Sequence, residues 1–215
     1  MTDKKTIGAL FDFDGVIVDT EPQYAAYWGE IGKKYRPDIK DISLKVKGKT
    51  LTYIIRDFFG MEMEQELTER LHDFGLTMKF PLIPGAIEFI ASMKKSGAKM
   101  AIVTSSNNDI MQNVYKQIPE LRQYFDEVLT ADDFTLSKPD PQCFLRAAQS
   151  LGLAKEDCVV FEDSENGLKA AKNAQMKIVG LTTTNPVELV SSIADITVPN
   201  FTQLDISKVY KLIEK

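Results

Sequence analysis

From Pro84 onward the chain alternates short apolar runs with longer helical stretches, and no other feature restricts its fold as much. Ala98 to Thr104, Glu127 to Thr130, Cys158 to Phe161, Lys177 to Leu181 and Asp195 to Val198 read as strands, with helices filling the gaps. Strands separated by helix-length connections predict a parallel sheet wrapped by helices. The apolar run Thr6 to Asp12 must join that sheet as its first strand.

The segment between the first strand and Pro84 has a different texture. Apolar residues fall at helical spacing at Tyr24, Tyr27, Trp28 and Ile31, at Leu51, Ile54, Ile55, Phe58 and Phe59, and at Met63, Leu67, Leu71 and Phe74, which predicts three or four amphipathic helices. Pro22 suits a first helical turn and Gly60 a helix end. Trp28 is expected to pack, and His72, among charged neighbours, to be solvated. The expected fold is therefore α/β: a Rossmann-like parallel sheet core flanked by helices, residues 1–18 and 82–215, with an inserted all-helical domain, residues 19–81. Two linkers flanking one insertion make a natural hinge. Asp140-Pro141 and Asn185-Pro186 each predict an N-cap residue followed by proline at the first helical position, and Ser164 is expected to cap the helix carrying Gly167, Ala170, Ala171 and Ala174.

With 215 residues, 44% of them hydrophobic, the chain can bury a sizeable core. A formal charge of −5 argues against nucleic acid or an anionic membrane as partner. No apolar stretch reaches membrane-spanning length, and the run that follows Met1-Thr2-Asp3-Lys4-Lys5 is too short and too soon acidic for a signal segment. Cys143 and Cys158 lack metal-ligand spacing and are expected to be buried free thiols, which suits a cytoplasmic location. A monomer is compatible with the sequence, which does not set the oligomeric state.

In an open parallel sheet, ligands gather at the carboxyl ends of the strands. The first strand ends in Asp12-Phe13-Asp14-Gly15, the second in Thr104-Ser105-Ser106-Asn107, Ser137-Lys138-Pro139 follows the third, and the fourth ends in Glu162-Asp163. Carboxylates from two strand ends suit a hard cation, hydroxyls and backbone N–H groups suit anionic oxygens, and one lysine supplies a point charge. That inventory describes a phosphate site with Mg2+, which binds one or two protein carboxylates and keeps positions for water and a phosphate oxygen. Each piece also has an ordinary structural explanation. Lys138 alone would read as a surface lysine, and Glu162-Asp163 as an acidic pair at a helix start.

Asp12-Phe13-Asp14-Gly15-Val16, Thr104, Lys138 and Glu162-Asp163 resemble, in order, the four motifs of the haloacid dehalogenase-like superfamily. Asp19-Thr20-Glu21-Pro22 resembles the hinge of its phosphatase and beta-phosphoglucomutase branch, and the helical insertion resembles that branch's cap. The resemblance implies that Asp12 attacks phosphorus to give an aspartyl-phosphate, and that Asp14 serves as acid and then base while its backbone carbonyl reaches the metal. It implies that Thr104 and the N–H of Ser105 hold phosphoryl oxygens, that Lys138 offsets charge, and that Asp163 binds Mg2+, with Glu162 a ligand or a residue that orients one. Ser106 and Asn107 are candidates for contacts to substrate hydroxyls.

Water or a second hydroxyl can resolve an aspartyl-phosphate, so a phosphatase and a phosphomutase share every core residue. Family mutases carry a histidine where Tyr24 stands and an arginine at the position of Leu51, which turns the reading toward a phosphatase of small phosphorylated metabolites, sugar phosphates first. Closing a cap over the site would exclude water and favour such small substrates. The basic loop Leu44 to Thr50, where Gly48 permits close approach and Lys47 aligns with a family cap lysine, is the expected substrate contact in the cap. A non-catalytic phosphate-binding protein or a phospho-acceptor switch is the alternative from another class.

Overall fold

The computed structural model describes residues 6–47 and 49–214. The chain divides into two compact units, one formed by the residues up to Asp19 together with those from Pro81 onward, the other by Thr20–Phe80.

The first unit is built on a six-stranded sheet: β1 (Gly8–Phe11), β2 (Lys99–Val103), β3 (Glu127–Leu129), β4 (Cys158–Glu162), β5 (Lys177–Leu181) and β6 (Ile196–Val198). The strand order is β3-β2-β1-β4-β5-β6, and every pair is parallel. The order reverses at β1, where the chain runs outward through β2 and β3 and returns to β1's other edge as β4. Such a switch leaves a crevice at the carboxyl ends of the two central strands. Leu10 is in register with Ala101 and Val160, and Phe11 with Ile102 and Phe161.

Alternation along these strands sends side chains to two faces, both buried. Leu10, Val160 and Ile178 pack with Phe144, Ala147, Leu168 and Ala171 in one core. On the other face the rings of Phe11 and Phe161 stack with centroids 4.3 Å apart, and those of Phe89 and Phe201 at 4.9 Å. The expected fourth strand gains a residue, because Glu162 still pairs with Gly180.

The helical unit holds α1 (Glu21–Tyr35), α2 (Ile42–Val46), α3 (Leu51–Ile54), continued by a wider π-type turn over Ile55–Phe59, and α4 (Glu64–Thr77). Trp28, Ile31, Ile42, Val46, Ile54, Ile55, Phe59 and Leu67 form its core, so the apolar spacing was core spacing and Trp28 packs. Gly60, at φ 93°, ends the π-type turn. The basic loop expected from Leu44 to Thr50 begins later than the charge run suggested. Ile42 and Val46, four apart, bury one face of α2 and draw Leu44 and Lys45 into a helical turn. Gly48 lies outside the described residues. His72 sits on α4, half-buried rather than solvated.

Helices α5 (Ala86–Lys95), α6 (Asn108–Gln117), α7 (Gln142–Ser150), α8 (Glu165–Asn173), α9 (Val187–Ser191) and α10 (Ile206–Ile213) complete the first unit. Ser164 caps α8 through Gly167 N–H. The two proline signals are off by one residue: Pro141 and Pro186 are themselves the cap residues of α7 and α9. Asp140 accepts from the Gln142 N–H at 2.9 Å, and the Asn185 amide turns away to the Asp163 carbonyl. Both thiols are free and buried. No helix among the described residues is long and apolar enough to cross a membrane.

The chain leaves and re-enters the sheet unit through two segments that pair antiparallel at Val18 and Leu82, with Asp19 N–H donating to Pro81 O and Ile83 N–H to Ile17 O.

Candidate active site

Asp12 follows β1 directly, and its N–H continues the ladder to Phe161 O at 3.0 Å, so the sheet itself fixes the carboxylate's origin. Beyond it the chain turns tightly, with Ile17 N–H on Phe13 O and Gly15 N–H on Val18 O. Gly15 has φ +77°, and a Cβ there would stand 1.9 Å from Asp163 Oδ2. The turn can approach Asp163 only without a side chain at this position.

Lys138 is buried at 9% exposure, not a surface lysine. The Lys138–Pro139 peptide is cis. Its ammonium donates to Asp12 Oδ1 at 2.8 Å, to Glu162 Oε1 at 2.7 Å and to Val103 O at 3.2 Å, which uses all three of its protons. Glu162, fully buried, accepts on its other oxygen from Asp163 N–H, Ser164 N–H and Ser164 Oγ, at 2.9, 2.9 and 3.0 Å. A Cβ at Gly167 would fall 1.7 Å from Glu162 Oε1, so the small-residue face of α8 makes room for this carboxylate as well as for the sheet.

One oxygen from each of Asp12, Glu162 and Asp163 lies within 4.8 Å of the others, the only such group of three potential metal ligands among the described residues. Three buried carboxylates face one lysine. Burial, then the charge of Glu162, pushes the Asp12 carboxyl up to about 7, with Lys138 pulling against them. Asp163 is raised well above the carboxylate range by burial and then by Glu162 and Asp12. Burial works against the Lys138 charge, but Asp12 and Glu162 outweigh it and hold the ammonium above its ordinary pKa. Asp163 Oδ1 is buried without a hydrogen-bond partner. An orphaned carboxylate oxygen in a cluster with surplus negative charge fits a bound divalent cation.

The second strand end lies at the same edge. Thr104 N–H donates to Leu129 O, and Thr104 Oγ1 accepts from Ser106 N–H at 3.0 Å. Ser106 Oγ donates to Asp14 Oδ2 at 3.1 Å, bringing the second aspartate of the first motif to the Thr104 loop. Ser105 is exposed, and Asn107 Oδ1 caps α6 through Ile110 N–H. Asp12, Asp14, Thr104, Ser106, Lys138, Glu162 and Asp163 thus converge on the carboxyl edge of β1, β2 and β4. Lys47 belongs to the helical unit, where its ammonium is 3.5 Å from Glu21.

Sequence reasoning missed the end of β5. Thr183 Oγ1 lies 2.5 Å from Gly15 O and 3.4 Å from Asp163 Oδ2, and Asn185 Nδ2 donates to Asp163 O at 2.9 Å. The polar run Thr182 to Asn185 after an apolar strand carried the same signal as the other strand ends.

Against this geometry, a model of the haloacid dehalogenase-like hydrolases matches residues 9–181. The fructose-1-phosphate phosphatase YqaB of Escherichia coli (strain K12) is 31% identical over 182 residues, covering 80% of this chain and 94% of that protein. The crystal structure of a HAD hydrolase, family IA, variant 3 from Entamoeba histolytica superposes with a TM-score of 0.86 at 24% identity, covering 98% of this chain and 100% of that one. That of a putative beta-phosphoglucomutase from Thermotoga maritima has a TM-score of 0.67 at 26% identity, covering 90% and 94%. The matched span runs from β1 to the end of β5 and takes in every strand end that contributes to the carboxylate cluster, and the chain belongs to the haloacid dehalogenase-like hydrolases.

Proposed function

We propose that the chain is a Mg2+-dependent phosphatase of small phosphorylated metabolites, sugar phosphates in particular, acting through an aspartyl-phosphate on Asp12. The observation that carries this reading is the buried cluster in which Lys138 bridges Asp12 and Glu162 beside the unpartnered Asp163 oxygen. Asp12 and Asp163 would hold Mg2+ with help from the Asp14 backbone, Glu162 serving as a further ligand or as the residue that orients one, and the bound ion would offset charge on the transferring phosphoryl group.

Lys138 keeps Asp12 ionised and oriented for in-line attack on phosphorus, and it offsets charge on the incoming phosphate. Thr104 Oγ1 and the Ser105 N–H hold phosphoryl oxygens. Asp14, at the Thr104 loop through Ser106, protonates the leaving oxygen and then takes a proton from the water that cleaves the acyl-phosphate. The helical insertion, residues 19–81, serves as the cap that selects the substrate, with Lys47 contacting it and Ser106 and Asn107 touching substrate hydroxyls. The fructose-1-phosphate phosphatase relative supports a sugar-phosphate substrate.

The test is phosphate release from a panel of sugar phosphates, nucleotides and pyrophosphate, with Mg2+ and with chelator. Metal-dependent release that D12N abolishes is the expected result, and turnover by D12N overturns the mechanism. Likeness to the putative beta-phosphoglucomutase favours a second reading, a phosphomutase. Isomerisation of a hexose phosphate without free phosphate in the same tubes would establish it instead. Phosphate binding without either reaction would establish the non-catalytic alternative.

A further inference from the structure

The loop after β5 touches both halves of the acidic cluster. Thr183 Oγ1 has one proton and two acceptors in reach, Gly15 O at 2.5 Å and Asp163 Oδ2 at 3.4 Å. The shorter contact takes the proton, so the hydroxyl donates to the Gly15 carbonyl. Two residues later, Asn185 Nδ2 donates to the Asp163 carbonyl at 2.9 Å. One loop therefore holds the turn that follows Asp12 and the backbone that carries Asp163. These two pieces of chain come from different strands, and their close approach depends on the missing side chain of Gly15, since a Cβ there would lie 1.9 Å from Asp163 Oδ2 and 2.9 Å from Thr184 Oγ1.

We infer that the loop from Thr182 to Asn185 is a positioning clip: Thr183 and Asn185 fix the Asp12 turn against Asp163 and so set the affinity of the site for its divalent cation. This deepens the cation-site reading above and rests on it. The Asp12 and Asp163 carboxylates repel each other when no cation lies between them, and Lys138 bridges Asp12 to Glu162 rather than to Asp163. Nothing in that salt-bridge set holds the Gly15 turn toward Asp163, whose Oδ1 has no hydrogen-bond partner. The hydrogen bonds from the β5 loop supply that restraint before the cation arrives: Thr183 to the Gly15 carbonyl, Asn185 to the Asp163 carbonyl, and the Thr184 hydroxyl to the Asp163 carboxylate. Groups that orient metal ligands typically carry about 10- to 100-fold in metal affinity. Neither Thr183 nor Asn185 is assigned a contact with the reacting phosphoryl group, so both are positioning residues.

The experiment is direct Mn2+ binding to the full chain, by electron paramagnetic resonance and by calorimetry, for the wild type, T183V, T183S and N185A, with melting curves in chelator. We expect T183V and N185A to bind Mn2+ at least about tenfold more weakly. T183S, which keeps the hydroxyl, should stay within about twofold of wild type. In turnover assays the metal concentration for half-maximal rate should rise in T183V, while KM for the phosphorylated substrate at saturating metal stays unchanged. Wild-type affinity in both T183V and N185A overturns the clip while leaving the cation site intact. A wild type that binds no Mn2+ overturns the cation-site reading and the clip with it. Should T183V be unfolded in chelator, N185A decides by the same criterion.

Discussion

Replacing Glu162 by glutamine tests the electrostatic design of the cluster without changing its shape. Both Glu162 oxygens face donors only: Lys138 Nζ on Oε1, and two backbone N–H groups with the Ser164 hydroxyl on Oε2. A glutamine keeps one oxygen and must aim its NH2 at one of those donor sets, leaving a buried clash of donors. Removing one partner of a buried ion pair costs roughly 3–5 kcal/mol. Lys138 retains Asp12 as a partner at 2.8 Å, and losing the Glu162 charge relieves its repulsion of Asp12 and Asp163, which together place the cost at the low end, about 3 kcal/mol. For a chain of this size that lowers Tm by roughly 6–12 °C. The assay is thermal unfolding of wild type and E162Q in chelator, where metal linkage adds nothing, with urea titrations as a check. An E162Q protein melting within about 2 °C of wild type would refute the reasoning, because the glutamine amide would then have found partners this packing denies it.

Gly167→Ala should destabilise as well, by about 1–3 kcal/mol, because the new Cβ meets Glu162 Oε1 at 1.7 Å. Helix propensity alone would give the opposite sign, a gain of about 1 kcal/mol, so a urea titration separates the two effects. The raised pKa of Asp12 gives a signed pH effect in the metal-free protein. Between 3.8 and about 7 the folded state holds a proton that the unfolded state has released, so this group's contribution is fully present below that window and is lost as pH rises through it. Wild-type stability minus that of D12N should therefore fall with rising pH across the window, and a difference that rises would contradict the raised pKa.

The strand-end rule made Asp12, Asp14, Thr104, Glu162 and Asp163 legible, because parallel topology sends every carboxyl end to one edge, whichever strands become neighbours. The core stripes of the helical unit were legible for the same kind of reason, a period of 3.6 that does not depend on tertiary detail. The burial of Lys138 was not, since nothing local distinguishes a loop lysine that turns inward between two carboxylates from one that stays in water. The double duty of Gly167 was hidden too, because a small-residue helix face reads as close packing on a sheet and does not reveal a carboxylate underneath. Asn185 looked like a helix cap by its place before Pro186, and a long-range acceptor, the Asp163 carbonyl, outcompeted that local role. The run from Thr182 to Asn185 was readable by the rule already applied to the four other strand ends.

The antiparallel pairing at Val18 and Leu82 has a consequence for how the chain assembles and changes. β1 must find β2 across the whole helical insertion, a closure whose entropic cost grows with the length between them. With Ile17 and Ile83 joined, the chain between β1 and the segment leading to α5 behaves as if the insertion had been cut out and the ends spliced. The sheet's register then answers to a short effective loop, whatever hangs from the splice. A lineage can lengthen, shorten or replace the insert at this one doorway while the strands that carry the buried carboxylate cluster keep their neighbours.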